Sequence, residues 1–288
     1  MPLAKNVINS LQEMKLQLTN KDVALVLLIL VLLVTTAFLV WLLFGEAALV
    51  AIPIFSTILT LVVILDLYRR LSDQQKEQQQ QRQQDYQQIE ALFSLFFTLR
   101  PDLPLPNMRG WAASPDFLKT VIELVLVEKP ALIVEAGSGV STVLIAYCLK
   151  RLGKGKVISL DHDFKFADTT QNLLASHGLS EIATVVYAPL KEFEINGRKW
   201  LWYDKNRLKL DQTIDFFVID GPPQSVQKLA RYPALPLLFQ HLSDKAVLVL
   251  DDGYREDERE IVALWQREFN DISCEIIDAE KGAYLIRT

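Results

Sequence analysis

The stretch VEAGSGVST, residues 134–142, decides the fold of this chain. It follows a short apolar run that predicts a buried strand, and it leads into an apolar segment that predicts a helix. Gly137 and Gly139 allow the backbone to turn tightly and to approach a ligand at the N-terminus of that helix. The stretch therefore predicts a strand, a turn and a helix, with a binding site at the turn.

Strand-like and helical runs alternate after this unit, which is the pattern of an α/β fold with a mostly parallel sheet. A helix is predicted over 117–128. Two segments, 193–195 and 199–203, flank Asn196 and Gly197 and predict an inserted β-hairpin. Seven strands are predicted, the last two as an antiparallel pair, at 131–135, 156–160, 183–187, 215–219, 246–250, 274–277 and 283–287.

Acidic residues stand at the carboxyl ends of the predicted parallel strands, namely Glu135, Asp161, Asp220, Asp251 and Asp252. Open α/β sheets bind ligands at that edge. Carboxylates are costly to bury unpaired, so this set predicts a site rather than core packing. The competing interpretation is that each Asp separately caps a helix.

Asp161 lies close to the ~20-residue spacing at which an acidic residue follows a glycine turn to bind ribose hydroxyls. Together, the turn and the acidic strand ends resemble the class I S-adenosylmethionine-dependent methyltransferases, over about residues 117–288. The resemblance implies a Rossmann-like seven-stranded sheet, with Glu135 and the turn at the methionine end and Asp161 on the ribose. The cofactor-binding set that it implies is Glu135, Gly137, Ser138, Gly139, Ser141, Thr142, Asp161, His162 and Asp163.

Two other classes of protein stay open. An NAD(P)-binding oxidoreductase usually has a third Gly or an Ala where this chain has Thr142, which disfavours that class. A non-catalytic membrane scaffold could keep the same fold, but the glycines, Glu135 and Asp161 are all present.

Asp220 is the predicted catalytic residue, because the resemblance places it beside the transferred methyl group. Asp220, Asp251 and Asp252 also resemble the acidic positions of catechol-type O-methyltransferases. That similarity implies a divalent cation, Mg²⁺, which would acidify and orient a substrate hydroxyl. The chain departs from the pattern at Asp252, where Asn is common, and in the GPP sequence at 221–223.

Two uncharged stretches, 23–44 and 47–65, are each about long enough to cross a ~30 Å hydrocarbon core. They predict a two-helix transmembrane hairpin over 23–65. Lys and Arg residues lie before and after it and none lies in its turn, so both termini and the catalytic domain are predicted to be cytoplasmic, at the cell membrane. A buried helix pair of a soluble protein is the alternative.

The remaining segments are a weakly amphipathic N-terminal segment, 1–22, a Gln-rich helical connector, 66–100, and the methyltransferase domain, 101–288. The connector has no Gly or Pro, but it lacks the apolar heptads of a coiled coil. A homo-oligomer formed through the connector or the hairpin is therefore a hypothesis.

The net charge of −5 gives no attraction to phosphate backbones, so nucleic acid is not expected as a partner. The expected partners are the lipid bilayer and an unidentified small-molecule or lipid-linked substrate with an O or N nucleophile.

Overall fold

The computed structural model describes residues 20–110 and 112–288. The chain divides into two units, one ending at Gln79 and one spanning Gln80–Thr288. The predicted amphipathic segment, 1–22, falls almost wholly outside the described residues.

The first unit contains helix α1, Asn20–Phe44, a single 3-10 turn at Gly45–Ala47, and the start of helix α2, Ala48–Leu99. The turn lies where the sequence predicts a break between two apolar helices. Bulky apolar side chains are exposed on both helices, and Phe55 is 69% exposed.

Among the described residues, one helical segment, Ile52–Leu99, is long and apolar enough by length and composition to cross a membrane. The apolar segment before it, Val31–Ala47, is shorter. The prediction of two membrane-crossing helices is therefore not supported. The described residues contain a single helix of this kind.

The second unit is built on a seven-stranded sheet, and every predicted strand is present. Its strands are β1 (Leu132–Ala136), β2 (Lys156–Asp161), β3 (Ala183–Tyr187), β6 (Ile214–Ile219), β7 (Leu242–Asp251), β8 (Ser273–Ile277) and β9 (Ala283–Arg287). Their order is β3-β2-β1-β6-β7-β9-β8. The first five pair in parallel, whereas β9 is antiparallel to β7 and to β8.

The central strands are apolar because both of their faces are covered. All five residues of β1 are buried, and two hydrophobic clusters lie on opposite faces of the sheet. Side chains alternate between faces along a strand, so Ile133 joins one cluster while Leu132 and Val134 join the other. This layered arrangement fixes the positions of the strand ends that carry the acidic residues.

Five helices accompany the sheet: α3 (Pro115–Glu128), α4 (Val140–Leu152), α5 (Phe164–Ser176), α6 (Ala234–Leu238) and α7 (Glu256–Glu268). The predicted hairpin is also present, as β4 (Leu190–Ile195) and β5 (Arg198–Tyr203), with Asn196 and Gly197 at its turn in left-handed conformations. It forms a separate two-stranded sheet.

The last part of α2 belongs to the catalytic unit. Gln88, Ala91, Leu95 and Leu99 are buried at helical spacing, and Leu95 joins the cluster that contains Phe117. The Gln88 side chain accepts a hydrogen bond from the backbone of Asp116 at 3.2 Å. The predicted Gln-rich connector, 66–100, is thus helical as far as Leu99, and from Gln88 onward one of its faces packs on the second unit.

Candidate functional site

The acidic strand ends meet at one edge of the sheet. Strands β2, β1, β6 and β7 are neighbours in that order, so Asp161, Glu135, Asp220 and Asp251 line their carboxyl ends. The chain proceeds outward in opposite directions from β1 and β6, which makes their junction the point where a ligand crevice opens. We call this edge the rim.

The glycine turn crosses the rim between β1 and α4. The Gly137 N–H donates to the Leu160 carbonyl at 2.9 Å, which ties the turn to β2. Gly137 has a φ of 109°, a conformation that favours glycine, and a Cβ there would lie 3.5 Å from the backbone of Asp220. The turn therefore brings β1, β2 and β6 close together at the ligand crevice.

Glu135 is fully buried beneath the turn. Its Oε2 accepts hydrogen bonds from the hydroxyls of Thr142, at 2.6 Å, and Ser159, at 2.5 Å. The Thr142 hydroxyl also accepts the Gly139 N–H at 3.1 Å. Oε1 of Glu135 has no hydrogen-bond partner among the described residues. Burial raises the pKa of this carboxyl, although hydrogen bonds from the Ser141, Ser159 and Thr142 hydroxyls lower it.

Asp161 ends β2 with its carboxylate 9% exposed at the rim. Its Oδ2 accepts a hydrogen bond from the Ser138 hydroxyl at 2.6 Å, and its Oδ1 accepts the Asp163 N–H at 3.0 Å. These two donors hold the carboxylate in place beside the turn.

His162 and Asp163 follow Asp161 but have different surroundings. The His162 ring lies edge-on to the Tyr203 ring, with centroids 5.9 Å apart. The Asp163 carboxylate accepts the N–H groups of Lys165 and Phe166 and so caps the N-terminus of α5. The separate-capping interpretation therefore holds for Asp163 but not for Asp161.

Asp220, Asp251 and Asp252 form a tight acidic cluster at the ends of β6 and β7. Each offers a carboxylate oxygen within 4.8 Å of the others. Asp251 and Asp252 are buried, and Asp252 has a left-handed φ of 60°. Burial raises the pKa of Asp220 to about 6, although Arg231 opposes this by lowering it. Burial also raises the pKa of the neighbouring Asp251 carboxyl, so this pair of carboxyl groups can take up a proton more readily than carboxyl groups in water.

Arg231 is buried in the middle of this cluster. Its Nη2 lies 2.8 Å from Oδ2 of Asp252 and 3.2 Å from Oδ1 of Asp220, and its Nη1 donates to the Asp251 carbonyl at 2.8 Å. Burial lowers the pKa of this guanidinium, but the carboxylates around it, led by Asp220, raise it above the usual value overall. Arg231 is thus a fixed positive charge that joins the ends of β6 and β7.

The sequence profile of a methyltransferase-domain family matches residues 134–253, from β1 to the end of β7. This part of the chain therefore resembles a methyltransferase domain, as the sequence predicts. No curated protein sequence matches the chain.

Solved structures that resemble the methyltransferase domain include a methyltransferase from Geobacter sulfurreducens, at 15% identity and a TM-score of 0.46, covering 69% of this chain and 88% of that one. An O-methyltransferase from Bacillus cereus in complex with SAH has 15% identity and a TM-score of 0.46, with 69% and 90% covered. The O-methyltransferase TomG from Streptomyces achromogenes, in complex with SAM, has 16% identity and a TM-score of 0.46, with 69% and 88% covered.

The rim of the methyltransferase domain fits the cofactor. Glu135 has a buried oxygen without a partner among the described residues, and the φ of 109° at Gly137 is a conformation that favours glycine at the turn. Asp161 presents an oriented carboxylate on the β2 side. Of the predicted cofactor set, Thr142 is fully buried beneath the turn and serves to hold it, and Asp163 caps α5.

The same rim does not fit the predicted Mg²⁺. One carboxylate oxygen of Asp220 and one of Asp252 already contact the Arg231 guanidinium, and Oδ1 of Asp251 accepts the Asp252 N–H at 2.7 Å. Oδ1 of Asp252 has no hydrogen-bond partner among the described residues. A divalent cation bound to these oxygens would lie against an unavoidable positive charge at low dielectric. The predicted metal set is therefore an arginine-bridged ion cluster in this structure.

Sequence reasoning missed two residues of the rim, Arg231 and Tyr203. Tyr203 ends the hairpin strand β5 and is buried, and burial raises its pKa, as do the nearby charges of Asp161 and Asp220. No motif surrounds either residue. The one available signal for Arg231 was charge balance, because several carboxylates predicted to share one edge require a buried cation.

Proposed function

We propose that this protein is a membrane-anchored O-methyltransferase that uses S-adenosylmethionine and acts on a hydroxyl of a membrane-associated small molecule. The placement of Asp220 beside the glycine turn carries the proposal, because even a single Cβ added at Gly137 would lie in contact with the Asp220 backbone, at 3.5 Å. A proton acceptor thus stands next to the cofactor crevice.

In this mechanism the cofactor supplies an electrophilic methyl group on a positively charged sulfur. Glu135, Asp161 and the glycine turn hold and orient it, which contributes to catalysis by positioning. Asp220 accepts the proton of the acceptor hydroxyl as the new O–C bond forms and the C–S bond breaks. With a pKa of about 6, its carboxylate is available for this role at neutral pH.

An oxygen acceptor is favoured by the acidic character of this end of the rim. A hydroxyl can donate a hydrogen bond to Asp220, and the resulting proton transfer leaves the paired charges of Arg231 and Asp252 in place.

The membrane anchor is supported by the exposed apolar surface of the first unit. Leu61, Val62 and Ile64 are each more than half exposed, and such side chains require a cover in water. A bilayer is the cover that matches their unbroken apolar composition. The segment beginning at Ile52 is the main crossing, and a cytoplasmic catalytic domain follows from the arginines after it.

The enzymatic proposal is tested by incubating the full-length protein, purified in detergent, with methyl-labelled S-adenosylmethionine and separate lipid and aqueous cell extracts. We expect labelled products in the lipid fraction, and their loss in Asp220→Asn. Asp215→Asn is the matched control, since Asp215 lies on the same strand, β6, but its carboxylate binds the backbone of Ala131 at 2.8 Å at the opposite edge. Equal labelling by the wild type and Asp220→Asn would refute the role of Asp220.

Membrane anchoring is tested separately by carbonate extraction of membranes from cells that express the full chain. We expect the protein to stay in the pellet and a Leu59→Lys/Val62→Lys variant to shift to the supernatant, because charges are costly within the hydrocarbon core. Gln78→Lys, in the Gln-rich part of the same helix and beyond the uncharged stretch 47–65, serves as the control. Release of the wild-type protein would refute the anchor.

A further inference from the structure

The acidic cluster at the ends of β6 and β7 contains more carboxyl groups than cationic side chains. Four carboxylates share it: those of Asp220, Asp251, Asp252 and Glu258. Arg231 is the cation at its centre, with a side chain that is only 5% exposed. A second arginine, Arg255, reaches Asp252 at 2.9 Å from the outside and is 41% exposed.

The Arg231 guanidinium makes the contacts that a bound cation would make. Its Nη2 lies between Oδ1 of Asp220 and Oδ2 of Asp252, one oxygen from each of two strand ends. Its Nη1 reaches the Asp251 carbonyl at 2.8 Å and lies 3.6 Å from Glu258. The planar fork of a guanidinium suits such multiple contacts, and the group does not lose its proton in proteins.

We infer that Arg231 takes the place of a divalent cation at this rim, so that methyl transfer by this enzyme is independent of metal and Arg231 is a positioning residue for Asp220. The inference rests on the proposed function, since it concerns how the acceptor end of the same site works. The guanidinium of Arg231 would then be the cation at the position where the resemblance to catechol-type enzymes implies Mg²⁺.

The exchange has a chemical consequence for the acceptor. A divalent cation acidifies a bound hydroxyl directly, whereas a guanidinium only donates hydrogen bonds. Arg231 therefore fixes the Asp220 carboxylate through Oδ1, and proton removal is left to Asp220 itself. Substrates whose hydroxyls chelate a metal through two adjacent oxygens gain no advantage at this site.

Metal binding provides a test that needs no substrate. The full-length protein in detergent is titrated with Mn²⁺, and bound ion is measured by electron paramagnetic resonance. In the wild type we expect no Mn²⁺ binding that is lost when Asp252 is replaced. In Arg231→Ala, which exposes the carboxylates, we expect an Mn²⁺ site at least tenfold tighter than any in the wild type. Arg231→Ala/Asp252→Ala should lose the gained site. Arg255→Ala is the matched control, because it removes a guanidinium from Asp252 and leaves Arg231 in place.

A stoichiometric Mn²⁺ site in the wild type that disappears in Asp252→Ala would overturn the inference. The wild-type titration decides this even where Arg231→Ala fails to fold, and Arg231→Lys then supplies a variant that keeps the charge and should bind no Mn²⁺.

Activity gives the positioning readout. Label transfer by the wild type should be unchanged by EDTA, should fall in Arg231→Ala, and should be restored in part by Arg231→Lys or by added methylguanidinium. Loss of wild-type transfer on EDTA treatment, with recovery on Mg²⁺, would contradict metal independence. Calorimetry with S-adenosylhomocysteine on the same samples separates the two proposals. Absence of binding to the wild type would refute the proposed function, whereas binding together with a loss of label transfer on EDTA treatment would refute only the Arg231 inference.

Discussion

Two carboxylates two residues apart, Asp161 and Asp163, have different roles in the structure, and replacing each by Ala should separate them. Asp161 presents its carboxylate at the crevice, held by Ser138 and by the backbone of Asp163. Asp163 instead accepts two backbone N–H groups at the start of α5. The first is placed to bind ligand and the second to stabilise a helix.

A hydrogen bond to a charged group contributes about 1.5–3 kcal/mol, so Asp161→Ala should weaken S-adenosylhomocysteine binding roughly 10- to 150-fold. Asp163→Ala removes an N-cap, which costs about 0.5–2 kcal/mol of stability. For a unit of this size, the melting temperature should then fall by about 2–4 °C for each kcal/mol, with ligand affinity retained.

Isothermal titration calorimetry measures the affinities, and thermal unfolding of the same full-length samples measures the stabilities. Asp161→Asn is an intermediate variant that keeps the shape of the side chain and one accepting oxygen. Equal losses of affinity in Asp161→Ala and Asp163→Ala would refute the division of roles, as would an Asp161→Ala protein that binds like the wild type.

Three further outcomes are expected at the rim. The pKa of Asp220 in the folded protein is about 6, above its ordinary value of about 4, so protonation of Asp220 stabilises the fold at low pH and this stability is lost as the pH rises through 6. The Asp220→Asn protein should therefore have a higher melting temperature than the wild type at pH 8, and a smaller difference at pH 4.5. A melting temperature below that of the wild type at pH 8 would contradict this expectation. Gly137→Ala should lower the free energy of unfolding by about 1–3 kcal/mol, because Ala is strained at a φ of 109°, and it should weaken S-adenosylhomocysteine binding. Gly178→Ala, which lies just after the C-terminus of α5, should leave that binding unchanged in calorimetry. Gly221→Ala should place a Cβ against the Tyr203 hydroxyl and lower the melting temperature of the domain. Adding Tyr203→Phe should partly restore that melting temperature, because the ring carbon that bears the hydroxyl lies 3.4 Å from the added Cβ. An unchanged melting temperature in the double variant would contradict the contact.

The sheet could be predicted because its strands are short, apolar runs separated by turn and helix signals. All five residues of β1 are buried, and the sequence there is apolar apart from Glu135. The start of β7 could not be predicted in the same way. Ser243, Asp244 and Lys245 continue the strand back from Ala246 toward its exposed end, and their polar side chains resemble a loop in sequence.

The cofactor half of the rim was also predictable, because Glu135, the glycines and Asp161 lie at the ends of two consecutive strands. The acceptor half was not. Arg231 comes from a loop after β6, and its partners Asp220 and Asp252 can be joined to it only when the chain is folded. A sequence pattern shows the carboxylates but not the guanidinium that contacts them, and carboxylates without a visible cation predict a metal site.

The proposed roles of Glu135, Asp161 and Asp220 all depend on binding of S-adenosylmethionine at the rim, and this is measured by equilibrium titration of the full-length protein with S-adenosylhomocysteine and with NAD. We expect saturable binding of S-adenosylhomocysteine at one site per chain and no heat with NAD. Tight NAD binding without a response to S-adenosylhomocysteine would contradict it and would favour an oxidoreductase, and binding of neither would favour a scaffold.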